Sequence, residues 1–235
     1  MLRFDRLDLR QGAFRLTADL TIAKGDRVTV MGPSGAGKST LLAAIGGFFA
    51  PASGAIVWDG HAIDGLPPGQ RPVSTIFQDN NLFPHLTLFQ NTAMGVRPSG
   101  RASAAETAQI HEALEAVGLS GMGARKPATL SGGQQSRAAL ARMLVQARPI
   151  VLLDEPFSAL GPALRAEMIG LVTALCDRTE ATLLMVSHDP GDALLLGGDL
   201  MLVAESVVHP PEEAAGALAA PGPALAAYLG PTRPG

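Results

Sequence analysis

The sequence predicts an α/β protein in which a mostly parallel sheet is interrupted by a helical insertion. Aliphatic strands alternate with helical segments, a glycine-rich turn joins one strand to a helix, and residues 79–148 contain no convincing strand. The composition agrees, because 47% of the 235 residues are hydrophobic and only 4% are aromatic, which requires an aliphatic core. A chain of this length buries one sizeable core, so we expect one domain with a subdomain.

The predicted strands are short apolar segments separated by turns. Two strands with rough alternation open the chain, and the third is a short buried strand that ends at the glycine-rich turn. Together, the predicted strands are residues 2–9, 14–22, 28–31, 55–58, 74–77, 150–154 and 182–187. The predicted helices are residues 38–48, 103–117, 133–147, 162–177 and 190–196. The tail from residue 209 is rich in Ala, Pro and Gly and is predicted to be weakly structured or a short helical end.

Charge and cysteine content limit the classes of function. The net charge is -3, with 18 basic and 21 acidic residues, which leaves no basic surface expected for nucleic acid. The single cysteine, Cys176, permits no internal disulfide and favours a reducing compartment. The first ten residues contain no signal-peptide apolar stretch, and glycines break the apolar run at residues 194–203. We therefore expect a cytosolic chain unless a partner holds it at a membrane.

The strongest local signal is GPSGAGKST at residues 32–40, which matches G-x-x-x-x-G-K-[ST] between a predicted strand and a predicted helix. Such a loop wraps phosphate with backbone N–H groups at a helix N-terminus. We expect Lys38 to reach the β- and γ-phosphates and Ser39 to ligate Mg²⁺. The alternative, a turn that merely starts a helix, is disfavoured by the flanking elements. The predicted nucleotide-binding residues are Gly32, Pro33, Ser34, Gly35, Ala36, Gly37, Lys38, Ser39 and Thr40.

Residues 150–156, IVLLDEP, supply the acidic groups that a phosphate loop needs. A buried strand ends at Asp154, where α/β sheets place ligand groups, so Asp154 is expected to hold Mg²⁺ directly or through water. Glu155 follows and is expected to act as general base toward the attacking water. The alternative is a hydrophobic strand that merely ends in acids, and the presence of Lys38 and Ser39 argues against it.

Residues 129–140, TLSGGQQSRAAL, contain no catalytic acid or nucleophile but resemble a second phosphate-binding element. A glycine-rich loop at a helix start presents free N–H groups to an anion. This loop lies in the helical insertion, so one molecule has difficulty closing both loops on one nucleotide. Two copies arranged head to tail can do so, each completing the other's site. The alternative is a turn that starts a surface helix. The residues predicted to act in the partner's site are Ser131, Gly132, Gly133 and Gln134.

In order and spacing, the phosphate loop, Gln78, LSGGQ, VLLDEP and His188 resemble the nucleotide-binding subunit of ATP-binding cassette (ABC) transporters. The resemblance implies a P-loop NTPase (RecA-like) core of residues 1–78 and 138–235, an N-terminal antiparallel β subdomain, and a helical subdomain of residues 79–137. It implies ATP and Mg²⁺ as ligands and a homodimer. It also implies that Gln78 senses Mg²⁺ and the γ-phosphate, and that Gln78 and His188 belong to the catalytic set with Lys38 and Glu155.

A narrower resemblance, to the ATP-binding subunits of bacterial thiamine importers, is carried by residues 51–60, 71–91, 156–168 and 182–189. It implies a peripheral subunit on the cytoplasmic face of the inner membrane, working with a permease and indirectly with a periplasmic solute-binding protein. The cargo could instead be a polyamine, iron or sulfate. A DNA-repair or ribosome-associated ATPase is disfavoured because such proteins usually carry insertions or basic segments that this chain lacks. The residues expected to contact the permease are Asn80, Asn81, Leu82, Phe83 and Pro84.

The sequence departs from the family pattern at three places. Gly161 stands where family members usually have an aspartate that crosses the dimer interface, so we expect a lower ATPase turnover. Gln135 and Ser136 replace the more usual arginine and glutamine. The aromatic residue that family members stack on adenine is not clearly placed, because Gln11 occupies the expected region and Phe14 is the nearest aromatic.

Overall fold

The structure is a computed structural model that describes residues 1–77, 82–97 and 102–230. Within these residues the strands form one sheet of eleven strands flanked by helices, as the α/β prediction requires. The strands are β1 (Leu2–Gln11), β2 (Phe14–Ile22), β3 (Arg27–Met31), β4 (Ser53–Trp58), β5 (His61–Ala62), β6 (Val73–Ile76), β7 (Ile150–Asp154), β8 (Thr182–Val186), β9 (Asp199–Ala204), β10 (Val207–Val208) and β11 (Glu212–Glu213).

Eight α-helices accompany the sheet within the described ranges. Three of them, α2, α3 and α4, begin at capping boxes in which a Thr or Ser side chain and a Gln side chain or Glu carboxylate satisfy each other's backbone N–H groups. The helices are α1 (Lys38–Gly46), α2 (Leu88–Ala93), α3 (Ala104–Ala116), α4 (Gly132–Gln146), α5 (Pro162–Thr179), α6 (Pro190–Leu196), α7 (Ala214–Ala219) and α8 (Pro223–Leu229).

The parallel half of the sheet has the order β6, β7, β8, β3, β9. The residues of β8 are all buried, and β3 and β7 are buried except at one terminal residue each. Strands covered on both faces read as continuous aliphatic runs, which is why their periodicity alone does not distinguish them from buried helices. The carboxyl ends of β3, β7 and β8 therefore share one edge of the sheet.

The antiparallel half is built from β5, β4, β1 and β2 and joins the parallel half through β10. β10 pairs with β2 in parallel and with β9 in antiparallel orientation. Leu2, Phe4 and Ile56 of this β subdomain share one buried core with Leu41 and Ile45 of α1 and with one face of the parallel strands. The phosphate-loop helix thus lies between the two halves of the sheet.

The helical insertion packs on the other side of the parallel strands. Leu88 of α2, Ile110 of α3 and Leu140 of α4 belong to one buried cluster with Leu153 of β7 and Ile169 of α5. Helix α4 continues without a break through the expected boundary between residues 137 and 138, so it belongs to the insertion at its start and to the core at its end.

The structure contains one helix, α2, and four strands, β5, β9, β10 and β11, that were not predicted from the sequence. β9 was not predicted, because its apolar residues follow Gly197, Gly198 and the helical run before them and lack an alternating pattern. The tail forms two short helices whose Ala217 and Leu225 are buried against β9, in agreement with a short helical end.

The single cysteine is part of the hydrophobic core. Cys176 is buried in α5, and this burial raises the pKa of its thiol to about 12, so the thiol stays protonated at neutral pH. None of the helices in the described residues is both long enough and apolar enough to cross a bilayer.

Candidate active site

Three neighbouring parallel strands end at one edge of the sheet and carry the candidate site. β3 leads into the phosphate loop, β7 ends at Asp154, and β8 ends two residues before His188. The register sets Val30 beside Val186 and Val186 beside Asp154. Because the ligand groups of open α/β sheets lie beyond the carboxyl ends of the strands, this register brings the predicted residues together.

The phosphate loop passes close to two neighbouring strands. Gly32 has a φ of +148°, and a Cβ atom there would lie 2.0 Å from the carbonyl oxygen of Val203 in β9. Gly37 has a φ of +106° and precedes α1, and a Cβ atom there would lie 2.6 Å from Cζ of Phe14. Both positions require glycine. Phe14, the aromatic nearest to the expected adenine position, therefore packs against the loop and is paired with Gln11 across the β1–β2 hairpin.

Lys38 is turned into its own loop. It is 5% exposed, and Nζ donates to the carbonyl oxygens of Gly32 at 2.7 Å and Pro33 at 2.9 Å. Burial lowers the pKa of the ammonium, and the negative charges of Glu155 and Asp154 partly restore that pKa. The loop thus holds a desolvated cation by supplying oxygen ligands from its own backbone.

Ser39 and Asp154 are in direct contact. The Ser39 hydroxyl donates to Oδ1 of Asp154 at 3.1 Å. Burial raises the pKa of the Asp154 carboxyl, the hydrogen bond from Ser39 opposes that rise, and the charge of Glu155 adds to it. Hydroxyl and carboxylate oxygens are the donors that Mg²⁺ prefers, so this pair fits the expected ion. The described residues contain no group of three or more His, Cys, Asp or Glu that could hold a metal ion without phosphate oxygens.

Glu155 and His188 form the second contact at this edge. Nε2 of His188 lies 2.6 Å from Oε1 of Glu155. Glu155 has a φ of +48°, an uncommon conformation for a residue other than glycine, and it sharply redirects the chain at the end of β7. Both side chains remain in contact with solvent, with 25% of Glu155 and 45% of His188 exposed. A water molecule can therefore reach the carboxylate.

The LSGGQ loop begins α4. Ser131 Oγ accepts from the Gln134 N–H at 3.3 Å, and the Gln134 side chain accepts from the Ser131 N–H at 3.1 Å. This capping box leaves the N–H groups of Gly132 and Gly133 in the first turn, without partners of their own helix. Among the residues that the structure describes, no hydrogen bond joins this loop to the phosphate loop or to the acids.

Part of the expected permease segment and one expected site residue lie outside the described residues. These are Gln78, Asn80 and Asn81. Leu82 packs partly buried against the helical insertion, whereas Phe83 is 41% exposed and its N–H donates to Asn91 Oδ1 at 2.7 Å. Pro84 is exposed.

The sequence analysis missed two residues that support the site. Arg71 is 2% exposed, and its Nη1 donates to the last carbonyls of α1, those of Ala44 and Ile45, so a buried guanidinium ends the phosphate-loop helix. Tyr228 of α8 packs near the loop: burial raises the pKa of its phenol, the backbone N–H of Gly32 lowers it, and the charge of Glu155 raises it. The role of neither residue follows from a motif, because both contact backbone groups that are far away in sequence.

With this site and fold, the chain belongs to the ABC transporter family, whose profile matches residues 17–158. The chain is 57% identical over 231 residues to the Thiamine import ATP-binding protein ThiQ of Cereibacter sphaeroides, covering 98% of this chain and 100% of that protein. It is 50% identical over 186 residues to the protein of the same name from Escherichia coli K12, covering 79% and 80%.

Solved structures give the same result for the fold. A bacterial ABC transporter cassette, solved as a dimer in a post-hydrolysis state with ADP and phosphate bound, superposes with a TM-score of 0.77. The two chains are 28% identical, and the match covers 91% of this chain and 99% of that one. This match confirms the predicted α/β arrangement of sheet, antiparallel strands and inserted helices.

Substituting Asp154 tests how much the desolvation of its carboxylate lowers the stability of the fold. The raised pKa of Asp154 means that its ionised form destabilises the nucleotide-free fold at neutral pH. We expect Asp154→Asn to raise the melting temperature at pH 7, by roughly 2–4 °C for each kcal/mol of relieved desolvation. The gain should shrink as pH falls through the raised pKa toward the ordinary value of 3.8, because the wild-type carboxyl is then also neutral.

The control for this substitution is Asp177→Asn, which neutralises a carboxylate that is 60% exposed. Thermal denaturation of both variants between pH 4 and 8 makes the comparison. A melting temperature of Asp154→Asn equal to or below that of the wild type at pH 7 would contradict the expected desolvation cost.

The substitution Gly161→Asp tests whether the lack of a carboxylate at this position lowers ATPase turnover. Gly161 precedes α5 with a φ of −66°, makes no side-chain cap, and has no atom within 4 Å of a Cβ position. Gly161→Asp therefore fits without strain and adds an N-cap, so stability should change by less than about 1 kcal/mol. We expect a higher ATPase turnover, measured in the dimer. Gly170→Ala, which stabilises the interior of α5 without adding charge, is the control, and equal turnover in wild type and Gly161→Asp would refute the expectation.

Proposed function

We propose that this chain is the ATP-hydrolysing subunit of an ABC importer that carries thiamine or its phosphate esters across the inner membrane. The observation that carries the ATPase assignment is the meeting of Lys38, Ser39, Asp154, Glu155 and His188 at one edge of the sheet. The cargo assignment rests on the thiamine import proteins to which the chain is similar over nearly its whole length.

Nucleotide binding is proposed to exchange the ligands of Lys38. In the structure, Nζ donates to the Gly32 and Pro33 carbonyls, and phosphate oxygens of ATP would take their place. The backbone N–H groups of residues 34–40 and the N-terminus of α1 would surround the phosphates. Lys38 then neutralises charge that develops on the transferred phosphoryl group.

Mg²⁺ is proposed to be held by Ser39 and Asp154, with Gln78 as a third contact, together with phosphate oxygens. When bound, the ion neutralises phosphate charge. The chain's own part is to keep these oxygens at the end of β7 and the start of α1, where the Ser39–Asp154 hydrogen bond already pairs them.

Glu155 is proposed as the general base. Its carboxylate accepts a proton from the attacking water, the water oxygen bonds to the γ-phosphorus, and the bond to the bridging oxygen breaks with its electrons leaving on ADP. His188, 2.6 Å from the same carboxylate, is proposed to orient Glu155 and to contact the γ-phosphate. The left-handed backbone of Glu155 supports this role, because residues other than glycine in such conformations cluster at functional sites.

The LSGGQ loop is proposed to act on the nucleotide of a second copy. Its Ser131 hydroxyl and the N–H groups of Gly132 and Gly133 stand at the start of α4 and are suited to a phosphate. Two copies arranged head to tail would then enclose two ATP molecules, and hydrolysis would let them separate. The similar cassette solved as a dimer supports the proposed homodimer.

The permease is proposed to dock in the groove between the helical insertion and the core. Phe48 and Phe83 line this groove and are 58% and 41% exposed, and Phe48 contacts Phe77 edge to face with centroids 5.4 Å apart. Exposed aromatics beside a polar rim are typical of interface centres. Closing of the dimer would move the two docked permease segments together.

Two substitutions separate binding from hydrolysis. Lys38→Ala should abolish ATP binding, because it removes the buried cation of the loop, and Lys24→Ala, whose side chain is 53% exposed, is its control. Glu155→Gln should bind ATP and accumulate as a closed dimer while turnover falls by about 10²–10⁴-fold. Nucleotide binding, light scattering and phosphate release measure these effects. Glu155→Gln that hydrolyses ATP at the wild-type rate would refute the role of Glu155 as base.

Uptake of labelled thiamine at low concentration tests the cargo. In the source cells we expect uptake to be lost both when the gene is removed and when Glu155→Gln replaces the wild-type chain. Glu180→Gln, whose side chain is 80% exposed, is the matched control and should transport normally. Unchanged thiamine uptake in the deletion strain would contradict the cargo and redirect the search to polyamines, iron or sulfate. If the protein does not partition to membranes when a permease is present, the proposed role in transport is contradicted.

A further inference from the structure

Arg165 in α5 contacts the segment that follows His188. Its Nη1 donates to Oδ2 of Asp189 at 2.7 Å and lies 3.6 Å from Oδ1 of Asp192. Only 22% of the Arg165 side chain is exposed, so these ionic contacts are less screened than those of a surface pair. Arg165 therefore joins α5 to the start of α6.

Both chain neighbours of His188 belong to the network that ends on Arg165. The Ser187 hydroxyl donates to Oδ2 of Asp192 at 2.5 Å and accepts from the Asp189 N–H at 3.1 Å. Asp192 is only 6% exposed; burial raises the pKa of its carboxyl, whereas Ser187 and Arg165 lower it. The guanidinium of Arg165 lies beside both Asp189 and Asp192, so removing it would leave two neighbouring acids without this positive charge.

The His188 ring itself is partly open to solvent. It is 45% exposed, and in the described part of the chain its one hydrogen bond runs to Oε1 of Glu155. Packing therefore covers only part of the ring. Its position is set by the backbone of its own loop, which the Ser187, Asp189 and Asp192 contacts hold in place.

The same turns of α5 also contact the helix that starts at LSGGQ. Leu164 lies so close to Gly133 that a Cβ atom on the glycine would be 2.5 Å from the leucine Cδ2. Glu167 accepts a hydrogen bond from Arg137 Nη2. In α5, Arg165 thus lies between Leu164 and Glu167, which both contact α4. Its own side chain contacts the loop of His188.

We propose that Arg165 is a positioning residue for ATP hydrolysis. It anchors the loop of His188 to α5 and so keeps His188 against Glu155. The inference rests on the roles proposed above for Glu155 and His188. Since α5 also contacts α4 on either side of Arg165, the His188 loop and the LSGGQ helix are held by the same helix.

The test compares ATP hydrolysis by wild type, Arg165→Ala and Arg165→Lys in the full-length dimer. We expect Arg165→Ala to lower kcat about 10- to 100-fold with the KM for ATP within about threefold, because misplacement of a catalytic group slows chemistry and not binding. Arg165→Lys, which keeps the charge, should recover part of kcat. Arg178→Ala, an exposed arginine on the same helix, should be unaffected. An unchanged kcat, or a KM that rises while kcat is constant, overturns the inference.

A double-mutant cycle with His188→Ala shows whether Arg165 acts through the histidine. If it does, Arg165→Ala should cause no further loss in the His188→Ala background. Full additivity of the two losses overturns the inference. If His188→Ala itself keeps the wild-type kcat, the proposed role of His188 fails as well, whereas loss in His188→Ala with none in Arg165→Ala overturns the positioning role alone.

A milder variant covers the case in which Arg165→Ala does not fold. Asp189→Asn keeps a hydrogen-bond acceptor but removes the charge that Arg165 meets at 2.7 Å. We expect a smaller drop in kcat, about threefold or more, that again disappears in the His188→Ala background. A wild-type kcat for folded Asp189→Asn overturns the inference.

Discussion

The register of three parallel strands is the constraint on which the site depends. Val30, Val186 and Asp154 stand side by side on β3, β8 and β7, and the phosphate loop, the His188 loop and Glu155 start directly beyond them. Because side chains alternate between faces, a slip of one residue would turn Asp154 away from Ser39. The buried aliphatic faces of these strands prevent such a slip, so core packing and chemistry are specified by the same residues.

Much of this arrangement could be predicted from the sequence. The phosphate loop, the acids after β7 and the start of α4 were recognised because motif, strand and helix coincide within a few residues. β9 is buried and lacks a period, as β3, β7 and β8 do, but unlike them it was missed, because the two glycines before it resemble a loop. Arg71 and Tyr228 could not have been found: their partners are backbone groups of the phosphate loop and α1, and backbone groups leave no trace in a sequence. The departures Gly161 and Gln11 were visible as residue types, but the open space around Gly161 and the packing of Phe14 on Gly37 required coordinates.

The groups that carry the chemistry of the site lower the stability of the fold. Lys38 and Asp154 are both desolvated, Glu155 adopts a left-handed backbone conformation, and two acids adjoin at the end of one strand. Each of these features is unfavourable in isolation. They persist because the surrounding strands and α1 are rigidly packed, with the C-terminal end of α1 fixed by the buried guanidinium of Arg71. Packing in the β subdomain and the parallel core thus offsets the unfavourable free energy of the groups in the site.

The backbone carbonyls that bind Lys38 compete with phosphate oxygens for the same ammonium group. A phosphate group that binds Lys38 must replace its hydrogen bonds to the carbonyl oxygens of Gly32 and Pro33, at 2.7 and 2.9 Å. A lone phosphate gains little by this exchange, whereas a nucleotide adds contacts from its further phosphates and base. A ligand with several phosphates therefore has more contacts to set against these two hydrogen bonds than a lone phosphate has.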